Sequence, residues 1–312
     1  MKPRTLVTGG AGFIGSHVVD LLLELGHEIT VVFDRVKPGN LAHVEGRVEF
    51  VHRDIRDLDA CIAAVSGVDT VIHLAALINV DHSLEDPSPF YDVNTQGTMN
   101  LLEAARRRGP ALRKFVMMST FEVYGQILDG RAVEDETFCD PRSPYAASKY
   151  AAERYCLSYA ASYDSPEITV VRGANVYGPR QSAQAKGAAI AIFINKILHD
   201  KAPIIFGTGD QTRDYVFVKD TARGIVAAAT ILGIHGEIIN LCSGRDVSML
   251  EIVRKILHEL GSELEVQFAD PRPGENIRSC GDPRKAERLL DWYAKKPFSK
   301  GLKETIESYQ GI

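Results

Sequence analysis

Tyr145 and Lys149 stand four residues apart in Ser143-Pro144-Tyr145-Ala146-Ala147-Ser148-Lys149, so on a helix they share one face, a single turn apart. A phenol with an ordinary pKa near ~10 removes a proton at neutral pH only beside a cation, and either the lysine or an oxidised pyridine ring would serve. Taken alone, the pair fits a solvated helix face equally well. It gains weight from Thr120, which ends an apolar run, and from Gly9, Gly12 and Gly15, which follow the first apolar run directly. Glycines at a strand-to-helix turn let a pyrophosphate approach the backbone, while the helix N-terminus offers N–H donors and the positive end of its dipole. Such a set would support removal of an alcohol proton coupled to hydride transfer to a dinucleotide.

The glycine spacing is GxxGxxG rather than the commoner GxGxxG. Asp34 ends the second apolar run, roughly 20 residues after the last glycine, where a carboxylate can accept from the adenosine ribose hydroxyls and repel a 2′-phosphate. That favours NAD over NADP. Arg35, the next residue, pulls the other way because an arginine can accommodate the phosphate.

Elements in α/β alternation must position these residues. The apolar runs Thr5–Thr8, Glu28–Phe33, Val48–His52, Thr70–His73, Lys114–Ser119 and Ile168–Arg172 predict strands covered on both faces. Phe13–Glu24 and Gly97–Arg108 carry apolar residues at three- and four-residue spacing and predict helices. The expected fold is α/β, a doubly wound parallel sheet of Rossmann type, with a smaller C-terminal α/β lobe for substrate. Residues 1–177 would form the dinucleotide domain and residues 178–312 the lobe. Ile238–Cys242 and Ser248–Leu260 read as a strand and a helix that return to the first domain, within a segment near 225–260.

At 312 residues, with 45% hydrophobic and 25% charged residues, the composition is that of an ordinary globular chain. A net charge of -5 argues against a broad nucleic-acid or membrane-surface footprint. The opening residues leave no room for a secretory apolar region, and no stretch approaches a membrane span, so a cytoplasmic location is expected. Cys61, Cys139, Cys156, Cys242 and Cys280 are odd in number and lack CxxC spacing, which argues against a disulfide framework or a metal site.

Beyond these features, Thr8-Gly9-Gly10-Ala11-Gly12-Phe13-Ile14-Gly15, Asp54-Ile55, His73-Leu74-Ala75-Ala76, Asn94 before Gly97-Thr98, Val123-Tyr124-Gly125 and Tyr145-Ala146-Ala147-Ser148-Lys149 together resemble the extended short-chain dehydrogenase/reductases. Within them the chain is most similar to nucleotide-sugar epimerases and dehydratases of the UDP-glucose 4-epimerase type, over nearly its whole length. The resemblance implies that Phe13 and Ile14 join the glycines around NAD. It implies too that Asp54 and Ile55 contact adenine, that Leu74, Ala75 and Ala76 line the cofactor, and that Asn94 completes the polar network. Read as residues only, Asp54 can equally cap a helix, and the His73 run can be core strand.

The likeness continues through Asn175-Val176-Tyr177-Gly178-Pro179-Arg180, Phe206-Gly207, Arg213-Asp214-Tyr215 and Pro271-Arg272-Pro273-Gly274-Glu275. By resemblance, Asn175, Phe206, Arg213, Tyr215, Arg272 and Glu275 bind the nucleotide-diphosphate sugar. Arginine suits a diphosphate because its guanidinium forks two N–H bonds onto one phosphate. Gly173-Ala174 is smaller than the pair usual in the family, which predicts a roomier pocket on the nicotinamide side.

The resemblance implies oxidation at sugar C4, with Tyr145 taking the O4 proton and Thr120 bonding the same oxygen. An epimerase then returns hydride to the other face, whereas a 4,6-dehydratase also needs an acid for the departing C6 hydroxyl. Family dehydratases place an aspartate where this chain has Phe121, and phenylalanine gives no proton. Glu122 is retained and can serve as a C5 base or as a structural acceptor, so 4-epimerisation is favoured with C5 chemistry, a 4,6- or 5,6-dehydratase, as the alternative. A non-catalytic dinucleotide sensor would not need Thr120, Tyr145 and Lys149 together. Apolar residues on Gly97–Arg108 and Tyr145–Tyr163 exceed what one sheet face needs, and a homodimer is expected.

Overall fold

The computed structural model describes residues 3–27, 29–33, 39–127, 129–184, 187–271 and 276–311, with 29–33 described through their backbone only. Six strands of the first half, β1 (Arg4–Thr8), β2 (Ile29–Phe33), β3 (Glu49–Val51), β4 (Thr70–His73), β5 (Lys114–Thr120) and β6 (Glu167–Gly173), pair in parallel. A later strand, Ile238–Leu241, adds to the β6 edge, so the sheet of seven runs from that strand through β6, β5, β4, β1 and β2 to β3. The strand order reverses beside β1, and the crevice between the C-terminal ends of β1 and β4 is where open sheets of this kind bind ligands.

Alternation along the strands explains the two cores. Val7, Ile72, Val116 and Val171 face one side, while Leu6, Val71, Phe115 and Val170 face the other, each set fully buried. Helices α1 (Phe13–Glu24), α2 (Leu58–Val65), α3 (Val80–Glu85), the single turn α4 (Ser88–Phe90), α5 (Gly97–Arg108) and α6 (Pro144–Ser162) belong to the first half. A π-helical turn, Tyr91–Gln96, joins α4 to α5. The predicted bounds of α1 and α5 hold because glycines flank them: Gly12 precedes the first, and Gly109, at φ 63°, ends the second.

Four short strands, β7 (Asn175–Tyr177), β9 (Thr212–Phe217), β11 (Asp246–Ser248) and β13 (Arg278–Ser279), form a second sheet, and β8 (Ile204–Phe206) pairs β12 (Gln267–Ala269) in a third; β10 is the edge strand Ile238–Leu241. Helices α7 (Ala189–Leu198), α9 (Met249–Leu260) and α11 (Phe298–Gln310) bury Ile194, Ile252 and Leu302 in one further core. α9 therefore stays with this group, and only the strand of the two returning segments joins the main sheet. The helix that covers the sheet beside α1 is instead α8 (Val218–Thr230), ahead of α10 (Arg284–Leu290) in the chain. An interior glycine hides α8 in the sequence. A Cβ on Gly224 would lie 2.7 Å from Leu241 and 3.0 Å from Trp292, so glycine is what lets α8 approach β10.

Candidate active site

Gly9, Gly12 and Gly15 turn the chain from β1 into α1 with no space for side chains. A Cβ on Gly9 would meet the Ala75 nitrogen at 2.8 Å, and one on Gly15 would collide with the Gly9 carbonyl. Gly12 caps α1 without a side-chain bond, so Phe13, Ile14 and Gly15 open the helix with backbone N–H groups uncapped by side chains, as pyrophosphate binding requires. This cradle fits a dinucleotide such as NAD on its own geometry.

The β1 and β4 ends are locked together by a chain of hydroxyls. Thr98 Oγ1 donates to the Asn94 carbonyl at 2.6 Å, so at 2.9 Å it accepts from His73 Nε2–H. His73 Nδ1 then accepts from Thr8 Oγ1 at 2.7 Å, and that oxygen takes the Leu74 and Ala75 N–H groups, each at 3.2 Å. Burial, helped by the nearby Lys149 charge, pulls His73 down to about 3 and keeps it neutral. Leu74, Ala75 and Ala76 are half-exposed along the crevice.

Asn94 is fully buried and fastens that loop to α6. Its Oδ1 accepts from Leu77 N at 2.8 Å, while its Nδ2 donates to Leu77 O and to Ser148 Oγ, both at 2.9 Å. Asp54 accepts three bonds from Arg56, and the N-cap of α2 is Asp57 instead. Ile55 is buried against Gly97 of α5, whose missing Cβ makes the room. Asp34, Arg35, Arg272 and Glu275 lie outside the described residues.

Tyr145, Thr120 and Lys149 converge as their spacing predicts. Ser143 caps α6 by accepting from Ala146 N, and Pro144 starts the helix, which sets Tyr145 in its first turn. Thr120 ends β5 with its hydroxyl in hydrogen-bond reach of the phenol, and it accepts from Glu122 N at 3.2 Å. Burial pushes Tyr145 up to about 12; the Thr120 bond opposes this, and the Glu122 charge adds to it. Lys149, 4% exposed, falls to about 8, chiefly through burial, with Cys156 and Glu153 opposing. Of the two cations that could lower the phenol, the lysine does not do so here: desolvation dominates, and both groups are driven toward neutrality.

Phe121 points away from the crevice, packing edge-on to Tyr124 at 5.5 Å and filling the space over Gly281. Beneath it, Arg172 lies 4.5 Å over the Tyr124 ring and forks onto Glu153, with Nε to Oε2 at 3.0 Å. The roomier pocket expected from Gly173 is filled: Met118 reaches across from β5, and a Cβ on Gly173 would collide with its Cε.

On the opposite side Asn175 pairs Tyr215 across β7 and β9, and Tyr215 packs 6.1 Å from both Tyr177 and Phe298. Arg213 donates to Thr212 O at 2.9 Å, and Phe206 is 37% exposed at the end of β8. Sequence reasoning passed over Asn276, whose Nδ2 meets Glu122 Oε2 at 3.4 Å, because a lone loop asparagine carries no signal in its spacing. It also passed over Asp214, a buried carboxylate that accepts from Ser243 N, Ser243 Oγ and Gly244 N and so ties β9 to the turn after β10.

Residues 5–242 match the model of the NAD dependent epimerase/dehydratase family. The UDP-glucose 4-epimerase of Mycolicibacterium smegmatis is 38% identical over 313 residues, covering 98% of each chain. A UDP-glucose 4-epimerase from Thermus thermophilus, solved in complex with NAD, superposes with a TM-score of 0.91 at 36% identity over 99% of each chain. A dTDP-glucose 4,6-dehydratase from Streptomyces venezuelae, solved with NAD, reaches 0.92 at 33% identity over 99% of this chain and 97% of that one. With the glycine cradle and the Thr120, Tyr145 and Lys149 cluster in place, the chain belongs to the NAD-dependent epimerase/dehydratase family.

Proposed function

We propose that this protein epimerises C4 of a nucleotide-diphosphate sugar. Bound NAD would supply a hydride acceptor and, when oxidised, a positive ring beside the phenol. Beside that ring Tyr145, held protonated by burial until then, would release its proton to solvent, and the phenolate would take the sugar O4 proton, while Thr120 bonds that oxygen and keeps the phenol in place. Return of the hydride to the other face of C4 would let Tyr145 give that same proton back to O4, so the phenolate is regenerated and no further acid is needed. Gly9, Gly12, Phe13, Ile14 and Gly15 would carry the cofactor pyrophosphate, with Asp34, Asp54, Ile55, Leu74, Ala75, Ala76, Asn94 and Lys149 around the rest. Asn175, Phe206, Arg213, Tyr215, Arg272 and Glu275 would hold the nucleotide sugar.

The observation that carries this reading is the pairing of a contact between Thr120 and the buried Tyr145 with Phe121 packed in the core. A hexose oxidised there has no acid at position 121 to expel its C6 hydroxyl. One feature favours C5 chemistry as a second reading: Glu122 lies near enough to the phenol for its charge to act on it. Incubation with UDP-, dTDP- and GDP-sugars in deuterated water, followed by NMR, separates the two. Inversion at C4 without solvent label supports the epimerase; deuterium at C5 shows exchange at that carbon, which implicates Glu122 as its base and overturns the epimerase reading.

A homodimer through α5 and α6 belongs to the same proposal. Tyr155 on α6 and Tyr163, which caps its C-terminus, are 43% and 41% exposed, and Arg106 of α5 stacks 5.6 Å from the Tyr163 ring. Light scattering that finds a monomer at micromolar concentration would remove it. The five cysteines are free thiols, four of them buried, which suits a reducing cytoplasm.

A further inference from the structure

Two buried polar atoms without a hydrogen-bond partner among the described residues belong to Asn276 and Gln126, where residue 277 docks on the turn after β5. Asn276 is 8% exposed, and its Oδ1 has no partner among the described residues. Gln126 accepts from Ile277 N at 3.0 Å through Oε1, which leaves its buried Nε2 without an acceptor among the described residues. Glu122 decides which way the Asn276 amide faces: a carboxylate only accepts, so the NH2 edge turns to it and the carbonyl edge turns away. One acceptor and one donor are thus left over at a single junction, beside the side chain next but one to Thr120. Buried polar groups are rarely left without partners, and those that are call for an explanation.

We propose that Asn276 and Gln126 are specificity residues that read the C6 hydroxyl of the sugar, Asn276 Oδ1 accepting from it and Gln126 Nε2 donating to it. This rests on the nucleotide-sugar reading above. A hydroxyl both gives and takes a hydrogen bond, so one placed between the two atoms would satisfy both leftovers. Oδ1 has no hydrogen to offer, so an ionised carboxylate in the same place leaves it unsatisfied. The substrate class is therefore a neutral nucleotide hexose rather than a uronate.

Calorimetric titration of the NAD-loaded protein with UDP-glucose, dTDP-glucose and UDP-glucuronate, and with UDP and dTDP alone, tests this. The wild type should bind the preferred glucose nucleotide at least 10-fold more tightly than the glucuronate. Asn276→Leu should weaken that sugar nucleotide by roughly 10- to 100-fold while leaving the free nucleotide unchanged, because a buried donor or acceptor is lost only for the sugar. Gln126→Leu, the variant to use if the first folds poorly, should weaken it in the same selective way. Equal weakening of sugar nucleotide and free nucleotide would make both residues structural props and overturn the proposal. Binding of UDP-glucuronate as tight as UDP-glucose would overturn it too. If the wild type binds no nucleotide or sugar nucleotide of any kind, the functional reading itself fails, a result distinct from loss of selectivity alone.

Discussion

Two walls meet at Glu122, and they are built to different rules. The wall of β5 and α6 is closed: Tyr145, Lys149 and Asn94 are 8%, 4% and 0% exposed, and Asn94 spends its whole amide on Leu77 and Ser148. The wall made by the late segments is open. Ile277 is 66% exposed, Phe206 37%, and Asn276 keeps an acceptor in reserve. On the proposed function, the reacting groups are held in place before any ligand arrives, while recognition on the far side is completed by the ligand. Preorganisation of the reacting groups and adaptability of the selecting ones is how one family scaffold can serve several sugars.

The contrast can be attacked from its rigid side first. Tyr145→Phe should lower kcat about 1000-fold, within the range of a lost acid–base group, in a coupled assay on whichever sugar nucleotide turns over. A variant that keeps a tenth of the activity would take the phenol out of the chemistry. Gly15→Ala drives a methyl group into the Gly9 carbonyl, which is backbone and cannot swing aside. NAD affinity measured by fluorescence should fall by more than 10-fold, since about 1.4 kcal/mol of strain already suffices.

Lys149 sharpens the comparison by separating stability from activity. Its folded pKa, about 8, lies below the ordinary value, so charging the buried amine opposes folding. That cost is fully present below pH 8 and fades as pH rises toward the unfolded value near ~10.5. Lys149→Met should therefore be about 100-fold slower yet melt at a higher temperature at pH 7, by calorimetry. A lower melting temperature would show that the ammonium is stabilised by its surroundings after all.

Smaller effects probe the packing beneath. Gly173→Ala should cost about 1–3 kcal/mol in urea unfolding, and adding Met118→Ala should recover part of it, because the two side chains compete for one space. Strict additivity would mean that Met118 does not fill the Gly173 gap. His73, down to about 3 in the fold, is neutral there but charged in the unfolded chain below pH ~6.5. Stability should fall by about 1.4 kcal/mol per pH unit between pH ~6.5 and ~3 from this group alone, and His73→Gln should flatten the slope by one proton.

Much of the closed wall was legible because its signals are local. Strand ends at Thr8, His73 and Thr120 follow from apolar runs, and the Tyr145–Lys149 spacing on a capped helix reads directly as one face. What escaped depends on neighbours distant in the chain. Gly224 looks like a helix breaker until Trp292 and Leu241 are seen against it, and Gly173 looks like a gap until Met118 fills it. The pKa of Tyr145 escapes for the same reason: spacing brings Lys149 near, but burial, which no spacing reveals, sets the direction of the shift. Asn276 is the clearest case, since its meaning comes only from Glu122, 154 positions earlier.

The central claim is that burial holds Tyr145 protonated until a positive ring comes beside it. Tyrosinate absorbance titration of the free protein and of the NAD-loaded protein, each with the Tyr145→Phe trace subtracted, measures this directly. The phenol should titrate near 12 in the free protein and at least two units lower with oxidised NAD bound, about 3 kcal/mol of charge stabilisation. A phenol that titrates at the same pH in both forms would contradict the account.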